Sequence, residues 1–217
     1  MVQGAPRVCG RYDEEIRSYK GAVPEVTSEH FYETDPSQDH KRGFTLGPVS
    51  PMPITFSSLL SSVGHWGETL REYMRDYVHW SIVGAICEFL PQSDNRVTLE
   101  AETDEFGIPV AHFSYSLCDN DRAVVKAGTS VCADIHRAAG ATQTMTMARY
   151  AHLLGGARMA SSEKDGVVDS DQRTFAIPNL YITDGSVIPT QGCVSPGLTI
   201  MALAARTADH LASANRG

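Results

Sequence analysis

No stretch of the chain reaches 18 consecutive apolar residues, so no membrane-spanning helix is expected. The opening residues, MVQGAPRVCGRYDEE, have no basic run followed by an apolar one, which argues against a secretory leader. Positive charge is scarce and scattered: 18 Lys and Arg face 26 Asp and Glu, giving a formal net charge of -8. With a pI near 5.4 and no basic cluster on one expected face, the chain is not built to follow a phosphate backbone, so nucleic acid is excluded as a partner. The five cysteines, Cys9, Cys87, Cys118, Cys132 and Cys193, are odd in number and lack C-x-x-C spacing. That pattern suits thiols in a reducing compartment better than a disulfide framework, and a cytoplasmic location is expected. None of the eight histidines has metal-ligand spacing with a companion carboxylate, so no metal site is expected. Nowhere does a strand lead through G-x-G-x-x-G into a helix, and no G-x-x-x-x-G-K-[ST] occurs; the chain carries no nucleotide-binding fingerprint of its own.

What is present is a globular composition, with 217 residues that are 42% hydrophobic, enough for one large or two small domains with a core. Residues 1 to about 53 are polar and broken by Gly and Pro, with strand-like runs at HFYETD and GFTLGPV. In GETLREYMRDYVHW, Leu70, Tyr73, Met74 and Tyr77 recur at helical spacing and predict an amphipathic helix near 68–79. SIVGAICEFL, NRVTLEAE and GIPVAHFSYSL follow, separated by the turn signals PQSDN and TDEFG, and predict three strands of an antiparallel meander. DNDRAVVKAGTSVCADIHRAAG predicts a helix near 120–138 that ends at Gly140. A final Ala-rich helix is expected from about Pro196 to Ala212. The expected fold is α+β, with the three strands in one antiparallel sheet and both earlier helices on one of its faces.

Chemistry concentrates near the C-terminus. His152 opens HLLGGARM, where Gly155 and Gly156 leave backbone room for a ligand, and an imidazole suits proton abstraction near neutral pH. By composition alone the ordinary surface or core histidine is the favoured reading. Asp184-Gly185-Ser186 follows a strand-like run and is readable either as a ligand-holding strand end or as a common Asp-Gly turn. Cys193 has no adjacent basic residue to lower its pKa, and is read as a small buried thiol.

Taken in order, His152, GGARM, GVVDSDQRTFAIPNLYITDGSVIPTQG and SPGLTIMALAARTADHL resemble the C-terminal region of the glucose-methanol-choline (GMC) family of flavin oxidoreductases. The resemblance spans at least residues 95–212 and is most specific from His152 onward. RYDEEIRSYKGAVPEV and HKRGFTLGP look like the family's substrate-domain segments.

The resemblance implies a division into a substrate-binding region, 1–145, and the C-terminal segment of an FAD-binding domain, 146–217. It implies FAD as cofactor, a small-molecule alcohol as substrate, and an N-terminal Rossmann half missing from this chain, supplied by the same gene or by a separate chain. His152 matches the family's base, which takes the hydroxyl proton while hydride leaves carbon for the flavin. Ser195 stands where the family places Asn or His, a shorter group whose bond to substrate would be longer, water-bridged or absent. Asp184 and Gly185 match an Asp-Gly pair that touches the cofactor. Ser195, Pro196, Gly197 and Leu198 match the loop and helix start that face the flavin, where bare N–H groups stabilise developing negative charge. A second reading is a non-catalytic fragment or binding subunit of a split protein that holds no flavin alone.

Overall fold

The computed structural model describes residues 1–20 and 26–214. The GAVPE portion of the substrate-domain resemblance at 11–26 lies outside the described residues, as do the last three residues of the expected C-terminal segment. The chain divides into two compact units, one made of Gly4–Glu88 and Asp119–Ala151, the other of Met1–Gln3, Phe89–Cys118 and the residues from His152 onward.

The first unit is built on a sheet of six strands, all but Gln3 within it: β1 (Gln3–Gly4), β2 (Arg7–Arg11), β3 (Phe44–Val49), β4 (Trp80–Cys87), β7 (Gln143–Met147) and β8 (Tyr150–Ala151). Its order is β7-β2-β4-β1-β8, with β3 also paired to β4. The pairings of β4 with β1, β2 and β3, and of β2 with β7, are antiparallel. Three helices complete the unit: α1 (Pro53–Ser62), α2 (Gly67–Arg75) and α3 (Asp119–Ala138).

Proline opens α1. Pro53 occupies its first turn, where the missing N–H costs nothing, and Phe56, Leu59 and Leu60 recur at i, i+3 and i+4 to make a buried stripe. They join Cys9, Tyr77, Trp80, Ile82 and Met147 in one core cluster, against which Leu70, Tyr73 and Met74 of α2 pack half-buried. Burying Phe56 or Leu60 completely contributes roughly 1.5–3 kcal/mol each. α3 presents Val124, Gly128, Cys132 and His136 as its buried stripe. A Cβ on Gly128 would stand 3.0 Å from Ala85 Cβ and 3.3 Å from Cys87 Sγ, so glycine is what lets this helix lie close to β4. Gly140 ends α3 with φ 85, and Ala141 N–H reaches back to His136 O at 2.9 Å, the bond pattern of a left-handed C-terminal cap. His136 Nε2 donates to Val8 O at 2.9 Å, so Nδ1 accepts from the Tyr12 hydroxyl at 2.8 Å; burial pushes its pKa down.

The α+β class and the antiparallel sheet are as expected, but three details differ. First, the three successive strands do not share one sheet. β4 pairs with β1, β2 and β3 in the first unit, whereas β5 (Arg96–Thr103) and β6 (Pro109–Ser114) form a two-stranded hairpin in the second. Sequence succession favours neighbours joined by short loops, and β4 instead takes partners 33 to 83 positions earlier, from Val49↔Ile82 to Gly4↔Cys87. Second, the helices are divided between the two faces of the sheet. Side chains alternate along β4, so Trp80 and Ile82 meet the α1 and α2 cluster while Ala85 and Cys87 face α3. Third, HFYETD forms no strand; Tyr32 N–H bonds Glu29 O in a turn, Phe31 O accepts from Phe44 N–H of β3 at 2.9 Å, and Ser28, just before this run, makes an isolated bridge to Leu46.

In the second unit, the hairpin turn is the one marked by TDEFG. Asp104 Oδ1 accepts from the N–H groups of Phe106 and Ile108, both at 2.9 Å, and Gly107 adopts φ 77. α4 (Gly197–Ala214) closes the chain and is tied down by buried Thr207, whose hydroxyl bonds Gln172 Oε1 at 2.6 Å.

Candidate active site

Three separate segments of the second unit converge: residues 1–3, the His152 loop, and the loop that runs from Asp184 into α4. Backbone bonds join the last two side by side. Gly155 N–H donates to Gly185 O at 3.0 Å, Ala157 N–H to Ser186 O at 3.1 Å and Met159 N–H to Val187 O at 2.8 Å. Gly185 eases this crossing, because a Cβ would lie 2.9 Å from Leu154 Cδ2 and 3.1 Å from Leu153 O, so either neighbour would have to shift to admit a larger residue.

His152 itself has φ 53, a left-handed conformation that costs a side-chain-bearing residue about 1–2 kcal/mol. The cost is met on both sides of the residue. Leu154, next but one, is buried and its N–H donates to Met1 O at 2.9 Å, and the imidazole Nδ1 hydrogen-bonds Gln3 Oε1. Backbone strain of this kind is retained where it aims a functional side chain. Here it aims Nε2 at Ser195 Oγ, 3.3 Å away across 43 positions of sequence. The imidazole and the hydroxyl that the family resemblance paired therefore stand together, with His152 half-buried and Ser195 exposed.

Ser195 leads directly into the start of α4. The first intrahelical bond runs from Ile200 N–H to Pro196 O at 3.0 Å, so the N–H groups of Gly197, Leu198 and Thr199 have no acceptor within the helix. Nothing lies within 4 Å of where a Gly197 Cβ would stand. Leu153, Leu198 and Met201 are 80%, 77% and 64% exposed, so large apolar side chains stand open beside both the histidine and the helix start.

Asp184 is engaged differently. Its Oδ1 accepts from Ser186 N–H at 2.8 Å and caps a 3₁₀ turn at Gly185–Val187. Hydrogen bonds from Ser186, the hydroxyl first and then the backbone N–H, hold the carboxyl below the usual carboxylate range. A depressed folded-state pKa gives stability that is present above the unfolded value and lost as pH falls through the folded one. Wild type should exceed Asp184→Asn in unfolding free energy near neutral pH by less than about 1 kcal/mol, as suits an exposed carboxylate at a helical N-terminus. The margin should close as pH drops from about 4. Urea titrations of both proteins at pH 7 and pH 3 check this, and a margin that is equal at the two values contradicts it.

Cys193 is fully buried in the same loop, as its sequence surroundings indicated. Gln3 was not singled out from the sequence, although it is fully buried and in direct contact with the imidazole. With 149 positions between the two residues, no spacing could have linked them. Among the described residues no three His, Cys, Asp or Glu side chains gather as a metal-holding group, and no helix is long and apolar enough to cross a membrane.

Comparison with known proteins gives a consistent picture. Residues 91–204, just over half of the chain, match the sequence profile of the GMC oxidoreductase C-terminal region. The chain is 30% identical over 207 residues to the 2-methyl-1,2-propanediol dehydrogenase of Mycolicibacterium austroafricanum, covering 90% of this chain and 38% of that protein. It is 35% identical over 127 residues to the paromamine 6'-oxidase of Streptomyces fradiae, covering 56% of this chain and 24% of that protein. Its fold matches that of an Aspergillus oryzae formate oxidase, studied for the effect of a mutation on its FAD modification, with a TM-score of 0.62 at 14% identity. That match covers 100% of this chain and 47% of the oxidase. The chain thus spans less than half the length of each of these proteins.

Proposed function

Because the chain belongs to the GMC oxidoreductase family, we propose that it supplies the catalytic and flavin-facing residues of an FAD-dependent enzyme that oxidises the CH–OH group of an alcohol, polyol or sugar-like molecule. The 2-methyl-1,2-propanediol and paromamine in the names of two relatives support this substrate class. The observation that carries the reading is the His152–Ser195 pair, 3.3 Å apart at the exposed start of α4.

The residues at this helix start fit FAD. A flavin ring needs apolar surface for its faces and donors for its electron-rich edge, and Leu153, Leu198 and Met201 offer the first while the N–H groups of Gly197 and Leu198 offer the second. Ser195, Pro196, Gly197 and Leu198 would border the ring, with Asp184 and Gly185 beside it. When bound, FAD supplies the acceptor for the hydride. His152 Nε2 takes the hydroxyl proton, which raises electron density on the oxygen and so favours departure of hydride from the carbon. Ser195 Oγ is placed to share the hydroxyl with Nε2 and to orient it. The pyrophosphate of FAD needs a glycine-rich turn outside these 217 residues, in the same polypeptide or a partner. Five thiols and no disulfide suit a reducing, cytoplasmic setting.

The reading is tested with the flavin-loaded enzyme under anaerobic conditions. A primary alcohol or vicinal diol should bleach the flavin, whereas its fully O-methylated ether, which has no hydroxyl proton for His152 to take, should not. Bleaching by both would mean that the reaction does not begin at a hydroxyl. Ser195→Asn tests the departure from the family pattern. A longer amide adds at most one hydrogen bond, worth about 0.5–1.5 kcal/mol, so turnover should be unchanged or raised by up to about tenfold. Complete loss of turnover would show that the serine hydroxyl itself is needed.

A further inference from the structure

We infer that Gln3 is the positioning residue that fixes the tautomer of His152 and ties the Ser195 loop to it, an assignment that rests on reading His152 as the base. Gln3 is fully buried, and its one amide group makes all of the relevant contacts. Its Nε2 donates to Gly192 O and, at 3.3 Å, to Val194 O. Its Oε1 faces His152 Nδ1.

The two carbonyls decide which way the amide points. A backbone carbonyl can only accept, so the group facing Gly192 O and Val194 O must be the NH₂. Turning the amide over would set its oxygen against two carbonyl oxygens in a buried place, and would leave those acceptors without a donor. With the NH₂ so placed, the amide oxygen faces Nδ1, and an oxygen can only accept. Nδ1 must therefore carry the proton. In a neutral imidazole the other nitrogen is then bare, which gives Nε2 a lone pair directed at Ser195 Oγ and at any hydroxyl bound there. The base is held in its proton-accepting form by a group that touches no substrate.

The same amide sets the second partner. Val194 immediately precedes Ser195, so one side chain holds both the imidazole and the backbone that carries the hydroxyl. This explains how two residues from separate loops keep a 3.3 Å spacing although Ser195 is exposed. It also explains a buried glutamine in a site whose working groups lie elsewhere: an amide is the smallest side chain that donates twice and accepts in one plane.

The test begins with wild type. Long-range proton–nitrogen NMR of the flavin-loaded protein labelled with nitrogen-15 histidine, with the His152 signals identified by their loss in His152→Ala, should show Nδ1–H as the neutral tautomer. Gln3→Met, close in size but without donor or acceptor, should give a mixture of tautomers. It should lower kcat by about 10–100-fold, the usual worth of an orienting partner, at unchanged flavin content. Gln3→Glu keeps an acceptor at Nδ1, so the Nδ1–H tautomer should persist, and its carboxylate favours imidazolium and should move the acid limb of the kcat/KM profile to higher pH, while loss of the NH₂ donors to Gly192 O and Val194 O should loosen the Ser195 loop and lower kcat. A dominant Nε2–H tautomer in wild type overturns the inference, and so does a Gln3→Met protein with the wild-type tautomer and kcat. If Gln3→Met does not fold, the wild-type tautomer decides alone. Failure of the base reading looks different: turnover survives His152→Ala while the Nδ1–H tautomer, and with it the role of Gln3, stands.

Discussion

Replacing His152 by Ala in the flavin-loaded protein is expected to lower kcat by roughly 10²–10⁴, the usual contribution of a positioned general base. The flavin content should hardly change. His152 is half-buried and contributes nothing to the hydrophobic core, so its truncation opens a site that water can fill, not a dry cavity. Ala accepts the left-handed backbone at about the same cost as His, and the backbone bonds that join the 155–159 and 185–187 segments do not involve the imidazole. The helix start at Gly197 and Leu198 is equally untouched. What disappears is the Nε2 lone pair beside Ser195 Oγ, together with the Nδ1 bond to Gln3 Oε1, which water entering the vacated site can replace. Ser195 cannot replace it, because a hydroxyl is far too weak a base at neutral pH, and the proton must then go to water. A fall in kcat with retained flavin therefore isolates the proton transfer from cofactor binding. Unchanged kcat would mean that another group takes the proton.

The second large effect concerns the cofactor. The 217-residue chain on its own is expected to retain no stoichiometric FAD through gel filtration and to oxidise no alcohol. The helix start of α4 offers donors to one edge of a flavin ring, but the sequence has no glycine-rich strand-to-helix turn to receive the pyrophosphate. Hydrogen bonds to charged groups contribute about 1.5–3 kcal/mol each, so the loss of three such donors weakens binding by about 10³-fold or more. Exposed Leu153, Leu198 and Met201 would then face water and favour self-association. A purified chain that is yellow, with one flavin per protein, would contradict this and would require a binding surface for the pyrophosphate within these residues.

The parts of the molecule that were legible in the sequence are those where local chemistry decides the structure. Pro196 and Gly197 mark the start of α4, Gly140 the end of α3 and TDEFG the hairpin turn, and each does so through a backbone conformation that only a few residues adopt. The pairing of His152 with Ser195 was legible for another reason: the order of motifs from His152 to the last helix resembles a known family. The sheet was less legible. Strand pairing is a long-range matter, and nothing in SIVGAICEFL says that its partners are RVCGR and FTLGPV instead of the strands that follow it. α1 escaped notice because the stretch up to about residue 53 was read as broken by Gly and Pro, although Pro53 stands at the one helical position that welcomes proline. Gln3 could not have been found at all, since its meaning lies in two carbonyls and an imidazole brought to it from the far end of the chain.

The most direct test is a single turnover. Flavin-loaded wild type and His152→Ala are mixed anaerobically with saturating alcohol, and the loss of visible flavin absorbance is followed, with and without added imidazole. If His152 Nε2 is the group that takes the hydroxyl proton, bleaching in the variant is slower by roughly 10²–10⁴ and imidazole restores part of the rate by occupying the space left by the side chain. Bleaching at the wild-type rate in the variant without imidazole would contradict the assignment.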